Sequence, residues 1–186
     1  MHKTLNQRLV IENRDVILAS MKLADLEAIA GVLHEQQVRY LLVGGLAVVA
    51  HGYGRMTYDV DLVVQLEPSN VIRAFGALGK IGYQPRIPVS AKQFADQTIR
   101  EGWIRDKGMV VLNMWSDLHR DTPVDIFVTE PFDFDNVFHA AQKETLDDGT
   151  PFFFVDIQTL IAMKQAASRE KDLDDIKHLE MIAREC

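Results

Sequence analysis

The chain has 186 residues, 47% of them hydrophobic and 25% charged, and a formal net charge of −7. That is ordinary globular material, enough for one domain with a good core, and its acidic balance argues against broad nonspecific affinity for nucleic acid while leaving room for a small basic patch. The longest apolar run, residues 40–50, is broken by glycines and too short to span a bilayer. Residues 1–14 lack the apolar stretch of a secretory signal, and the one cysteine, Cys186, leaves no internal disulfide framework. A cytoplasmic protein without a membrane partner is expected.

In chain order, residues 16–36 carry Ile17, Leu18, Met21, Leu26, Ile29, Val32 and Leu33 at helical spacing, with a break near Ala24-Asp25. A strand over 38–43, a short helix over 46–51 and a strand over 58–64 follow. Pro68 with Ser69-Asn70 starts a helix that runs to about Lys80, where Gly82 stops it. Residues 90–97 suit a helical turn, 109–115 and 124–128 strands, and 136–141 a helix. A strand pair, 143–146 and 151–155, encloses the turn Asp147-Asp148-Gly149. Asp156 caps a helix through Ala167, and residues 172–185 form the last one. The expected class is α/β (α+β): a mixed, largely antiparallel sheet flanked by helices. One domain over 1–186 is expected, with a catalytic core at about 35–130 and a C-terminal helical part at about 156–186.

The most informative stretch is 43–64. A paired glycine, Gly44-Gly45, ends one apolar strand, and the next strand opens with Asp59-Val60-Asp61. Strand side chains alternate, so both acids project to one side, about 6–7 Å apart along the chain. Such carboxylates repel unless a cation sits between them, and a divalent ion is the usual solution. Asp125 lies within a third apolar strand. Acids in strands are rarely buried without a partner, so three of them suggest one shared metal and a phosphoryl-transfer site.

Gly-Gly before a helix, Asp-x-Asp on a strand and a lone Asp on a later strand resemble the nucleotidyltransferase superfamily. The fuller pattern Gly44-Gly45-x-Ala47, His51-Gly52 and Arg55-x-Thr57-x-Asp59-x-Asp61 is similar to the AbiEii-like and minimal nucleotidyltransferases, many of them toxins of toxin–antitoxin pairs. The C-terminal run Leu160-Ile161-Ala162-Met163-Lys164, with Ala167, Arg169, Lys171-Asp172 and Asp175, extends the likeness. Many superfamily members have serine at the second glycine, so Gly45 removes a hydroxyl that could bind phosphate.

The resemblance implies a metal-dependent enzyme that moves a nucleoside monophosphate from an NTP, such as ATP, to an acceptor hydroxyl on RNA, protein or a small molecule. An antitoxin protein is an implied partner. Asp59 and Asp61 would hold Mg²⁺ or Mn²⁺ on the triphosphate; Asp125 would help hold a second ion or take the hydroxyl proton. Gly44 and Gly45 would bring backbone amides to phosphate oxygens. Arg55 and Thr57 are candidates for phosphate or base contact, and Lys164 implies a triphosphate contact from the C-terminal helix.

Blander alternatives stand beside these roles. Asp59 and Asp61 suit the exposed face of an edge strand, Asp125 a structural ion pair, and Arg55 and Thr57 a turn-stabilising role. His51 reads as a helix-end or packing residue rather than a base. Lys171 reads as solvated surface, and Asp172, Asp174 and Asp175 as complements to the start of the last helix. Phe152-Phe153-Phe154, Phe132 and Phe134 read as packing. Two rival functions remain: an interaction module of a toxin–antitoxin system with little catalysis, and an adenylyltransferase of aminoglycoside type that modifies a small molecule.

Overall fold

The structure is a computed structural model that describes residues 23–146 and 149–185. Its centre is a seven-stranded sheet in the order β3-β4-β5-β2-β1-β7-β6. These strands are β1 (Tyr40–Leu42), β2 (Val60–Val64), β3 (Gln84–Pro85), β4 (Val111–Trp115), β5 (Val124–Phe127), β6 (Gln142–Thr145) and β7 (Pro151–Phe154). Strands β2 and β5 run parallel, as do β1 and β7; the other neighbours are antiparallel. The sheet is therefore mixed and mostly antiparallel, as the element pattern implies.

The helices are α1 (Leu23–Glu35), α2 (Gly44–Ala50), α3 (Pro68–Lys80), α4 (Ala91–Ala95), α5 (Gln97–Lys107), α6 (Phe134–Ala140), α7 (Ile157–Ala167) and α8 (Glu170–Glu185). Their starts follow from local chemistry. Glu67 accepts from the Asn70 amide ahead of Pro68, Ser90 and Gln93 form a reciprocal capping box, and Asp156 accepts from the amides of Gln158 and Thr159. The core runs through the strands and the inner faces of the helices, with Leu33, Leu41, Leu62, Leu112, Ile126, Phe154 and Leu160 almost wholly buried.

The structure departs from the pattern in several places. Helix α1 covers the expected element from Leu23 onward; residues 16–22, and Asp147 and Asp148 of the expected turn, lie outside the described residues. Helix α2 begins at the glycines themselves rather than after them. Beyond the turn expected at 90–97, the chain makes α5, which periodicity does not announce because its sequence is mostly polar and Arg100 is its one buried residue. That helix is set by its ends: Asp96 caps it, and Gly108 (φ +60°) takes the left-handed exit. Among the described residues, no helix is long and apolar enough to cross a membrane.

Candidate active site

The parallel pairing of β2 with β5 sets Asp61 directly beside Asp125. Asp59 precedes β2 by one residue, so its side chain returns to the face that Asp61 occupies. Ligand oxygens of Asp59, Asp61 and Asp125 all lie within 4.8 Å of one another, each residue being half-buried. Strand β2 sits between β5 and β1, so Asp61 is in the middle of the sheet and the edge-strand alternative falls. Burial first, then the charges of Asp59 and Asp125, push the Asp61 carboxyl up to about 6, against the opposing pull of Arg169 and the Gly45 amide. Burial likewise raises Asp125, while the hydrogen bond from Asn113 works against it. An all-oxygen donor set whose members repel one another fits a hard divalent cation such as Mg²⁺ or Mn²⁺.

Each acid has its own support. The Thr57 hydroxyl, itself buried, donates to Asp59 at 3.1 Å. Asn113 Nδ2 donates to Asp125 at 2.5 Å from the register position directly across on β4. Asn113 was not among the residues singled out from sequence; its one signal was a polar residue amid Val111-Leu112 and Met114-Trp115.

The glycine turn is shaped by these neighbours. Gly44 has φ +63°, and a Cβ there would overlap the Asp61 carboxylate. A Cβ on Gly45 would overlap the Thr57 hydroxyl and come 2.7 Å from Arg55 Nη2. The absence of serine at Gly45 therefore has a packing reason: its place is filled by Thr57 and Arg55. The Gly45 amide donates to Asp61.

The C-terminal helices bring a charged network to the same place. Lys164 is buried on α7, with Nζ 2.6 Å from Asp175 and 3.3 Å from Asp172. Asp175 lies 3.1 Å from Arg55 Nε, and Asp172 lies 2.7 Å from Arg169 Nε. Burial acts to raise Asp172, but Arg169 and Lys164 outweigh it and hold the carboxyl below its ordinary range. Asp172 and Asp175 thus do more than complement a helix terminus: they are buried anchors linking α7, α8 and the loop that carries Arg55.

A cavity of about 830 Å³ opens over the acids. Gly44, Gly45, Arg55, Asp59, Asp61, Asp125, Lys164, Arg169 and Lys171 line it. Thr57 acts from behind, through Asp59. Phe132 lines the cavity as well, whereas Phe134 and Phe154 are buried. His51 caps the end of α2 with Nε2 2.8 Å from the Val155 carbonyl, a packing and helix-end position. Burial lowers its pKa.

No protein-family model matches the sequence, and no curated protein matches it. Among solved structures, the chain is similar to the lincosamide antibiotic adenylyltransferase LnuA in its lincomycin-bound form. The TM-score is 0.57 at 14% identity, with 88% of this chain and 99% of that chain covered. It is also similar to an antigenic nucleotidyltransferase-like protein from Paracoccidioides brasiliensis, with a TM-score of 0.49 at 16% identity over 86% of this chain and 77% of that one. The fold of this chain is a nucleotidyltransferase fold, as the first of these likenesses shows.

Proposed function

We propose that the protein is a metal-dependent nucleotidyltransferase, transferring a nucleoside monophosphate from an NTP to an acceptor hydroxyl. The observation that carries this reading is the convergence of Asp59, Asp61 and Asp125 at the base of one cavity that also holds arginines and lysines. A bound Mg²⁺ or Mn²⁺ would neutralise the triphosphate oxygens and favour the ionised acceptor hydroxyl. Asp59 and Asp61 hold that ion, and Thr57 keeps Asp59 turned toward it. Asp125, held by Asn113, faces the acceptor hydroxyl and takes its proton or shares in metal binding. Arg55 and Arg169, held in place by the buried network of Lys164, Asp172 and Asp175, supply positive charge to the triphosphate beside the Gly44-Gly45 turn. In the transfer, the acceptor oxygen bonds to the α-phosphorus, the bond to the bridging oxygen breaks, and pyrophosphate leaves with the electron pair.

The sequence pattern supports an AbiEii-like toxin working with an antitoxin partner, and a neighbouring small gene would support it further. The second reading, a small-molecule adenylyltransferase, is favoured by the likeness to a lincosamide adenylyltransferase over nearly all of that chain. The test of transfer is incubation with each labelled NTP, Mg²⁺, and cellular RNA, protein and metabolite fractions. Metal-dependent label in one fraction, lost in Asp125→Asn, is the expected result. Label that is independent of both metal and Asp125 would sink the proposal.

A further inference from the structure

The two ends of the cavity differ in chemistry. Among the described residues lining it, the cations are Arg55, Lys164, Arg169 and Lys171. Arg55 touches the Gly45 position, and Arg169 and Lys164 are tied to it through Asp172 and Asp175. With Asp172 and Asp175 set against them, these three cations leave a net positive charge beside the glycine turn. The other end is built from the sheet beyond Asp125. Phe127 follows Asp125 by two residues on β5 and so shares its face, and Val111 lies directly across from Phe127 on β4. Val110, Pro131 and Phe132 complete that wall, with Val110 63% exposed despite being apolar. None of these five side chains carries charge.

In-line displacement fixes which substrate meets which end. The leaving pyrophosphate and the attacking oxygen lie on opposite sides of the α-phosphorus. Pyrophosphate belongs at the positive end, so the acceptor approaches from the wall of Val110, Val111, Phe127, Pro131 and Phe132, past Asp125. We infer that the acceptor is a compact organic alcohol with an apolar or aromatic body, uncharged or cationic, rather than a nucleic acid. This rests on the nucleotidyltransferase reading and specifies its second substrate.

Three observations converge on that class. An apolar wall recognises apolar surface, and desolvating it is the main source of affinity such a wall offers. A polyanionic strand needs a track of cations along its backbone, whereas the five wall residues carry none and Arg86, which acts on Asp125, is a single cation beside them. The chain's net charge of −7 would repel a polyanion further. The cavity of about 830 Å³ lies within the range of about 300–1,000 Å³ usual for small-molecule sites.

The test is a binding titration of the full chain with Mg²⁺ and a non-hydrolysable NTP already bound. The probe is an uncharged phenylnaphthylamine fluorophore, with a single-stranded RNA oligonucleotide ending in a free 3′-hydroxyl as competitor. Saturable fluorophore binding is expected in the wild type, weakened about tenfold or more in Phe132→Ala. Val110→Asp, on an exposed position that tolerates a polar residue, should weaken it similarly, while Phe132→Leu should largely preserve it. Affinity for metal–NTP should stay the same in all three variants, and RNA should not displace the fluorophore. Displacement by RNA, or fluorophore binding indifferent to both Phe132→Ala and Val110→Asp, overturns the inference and leaves the nucleotidyltransferase reading standing. Failure of the wild type to bind metal–NTP at all overturns the reading beneath it instead.

Discussion

Asp61 is where the electrostatic cost of the site is concentrated. Its folded pKa of about 6 stands above the value of about 3.9 for an unfolded aspartate. Between those two values the folded chain binds more protons than the unfolded one, so this residue lowers metal-free stability as pH rises through the window, and the loss persists above it. Asp61→Asn should therefore raise the melting temperature of the metal-free protein near neutral pH and have little effect at about pH 4. Mn²⁺ should raise the wild-type melting temperature more at about pH 7.5 than at about pH 5, because at low pH it must displace a proton. Equal metal shifts at both pH values would count against a shared metal on these acids. Asp59→Asn and Asp61→Asn should both abolish transfer with the fold retained, as circular dichroism would show. Asp125→Asn should instead lower turnover by orders of magnitude while changing NTP affinity little, since in the proposed reaction its contact would be with the acceptor hydroxyl.

At the scale of elements, the hairpin of α7 and α8 is tied to the loop before β2 by buried charges. Removing Lys164 leaves Asp172 and Asp175 buried without their shared cation, a loss of about 3–5 kcal/mol for a broken buried pair. Lys164→Ala should thus shift the urea midpoint strongly and weaken NTP binding, on the order of tenfold or more, as the two aspartates that hold Arg55 and Arg169 lose the cation that joins them. Lys171 is exposed, and Lys171→Ala should change stability by no more than about 0.5 kcal/mol. Matching urea midpoints for the two variants would return Lys164 to an ordinary surface role. The turn between β1 and α2 gives a second prediction. Gly45→Ser should not supply a useful phosphate-binding hydroxyl, because its Cβ would meet Thr57 and Arg55. Weaker NTP binding by calorimetry is the expected result; tighter binding would show that the turn has room for serine after all.

Across the whole molecule, α1 is fastened to the segment that leads into β5. The buried Asp25 on α1 accepts from Thr122 at 2.7 Å and lies 2.7 Å from His119 Nδ1, while Tyr83 donates to the Thr122 carbonyl at 2.6 Å. Asp25→Ala would leave the buried Thr122 hydroxyl without its acceptor, at about 1–3 kcal/mol, and free the partly buried His119 as well. Faster amide exchange should appear in both α1 and the 119–124 segment; a change confined to α1 would mean the clip does not hold β5. Much of this architecture was legible in the chain. Apolar runs and caps marked α3, α7 and most strands, since these depend on neighbours in sequence. Asp59 and Asp61 share a face because a strand alternates, which is a local rule. Other features were not legible, for equally physical reasons. Helix α5 is polar and held by its end caps, so no periodicity reveals it. Asn113 reaches Asp125, and Asp125 reaches Asp61, through strand registers that depend on residues far apart in the chain. Lys164 sits at a position that sequence places near the apolar face of α7, yet its burial between Asp172 and Asp175 is set by how α8 packs back on α7. The sequence by itself determined which groups could bind metal and phosphate, because chemistry resides in side-chain type and local spacing. Only the tertiary structure decided that three carboxylates converge, that Arg55, Lys164 and Arg169 join in one network, and that Phe127 and Val111 lie side by side next to Asp125, because those facts come from sheet order and helix packing.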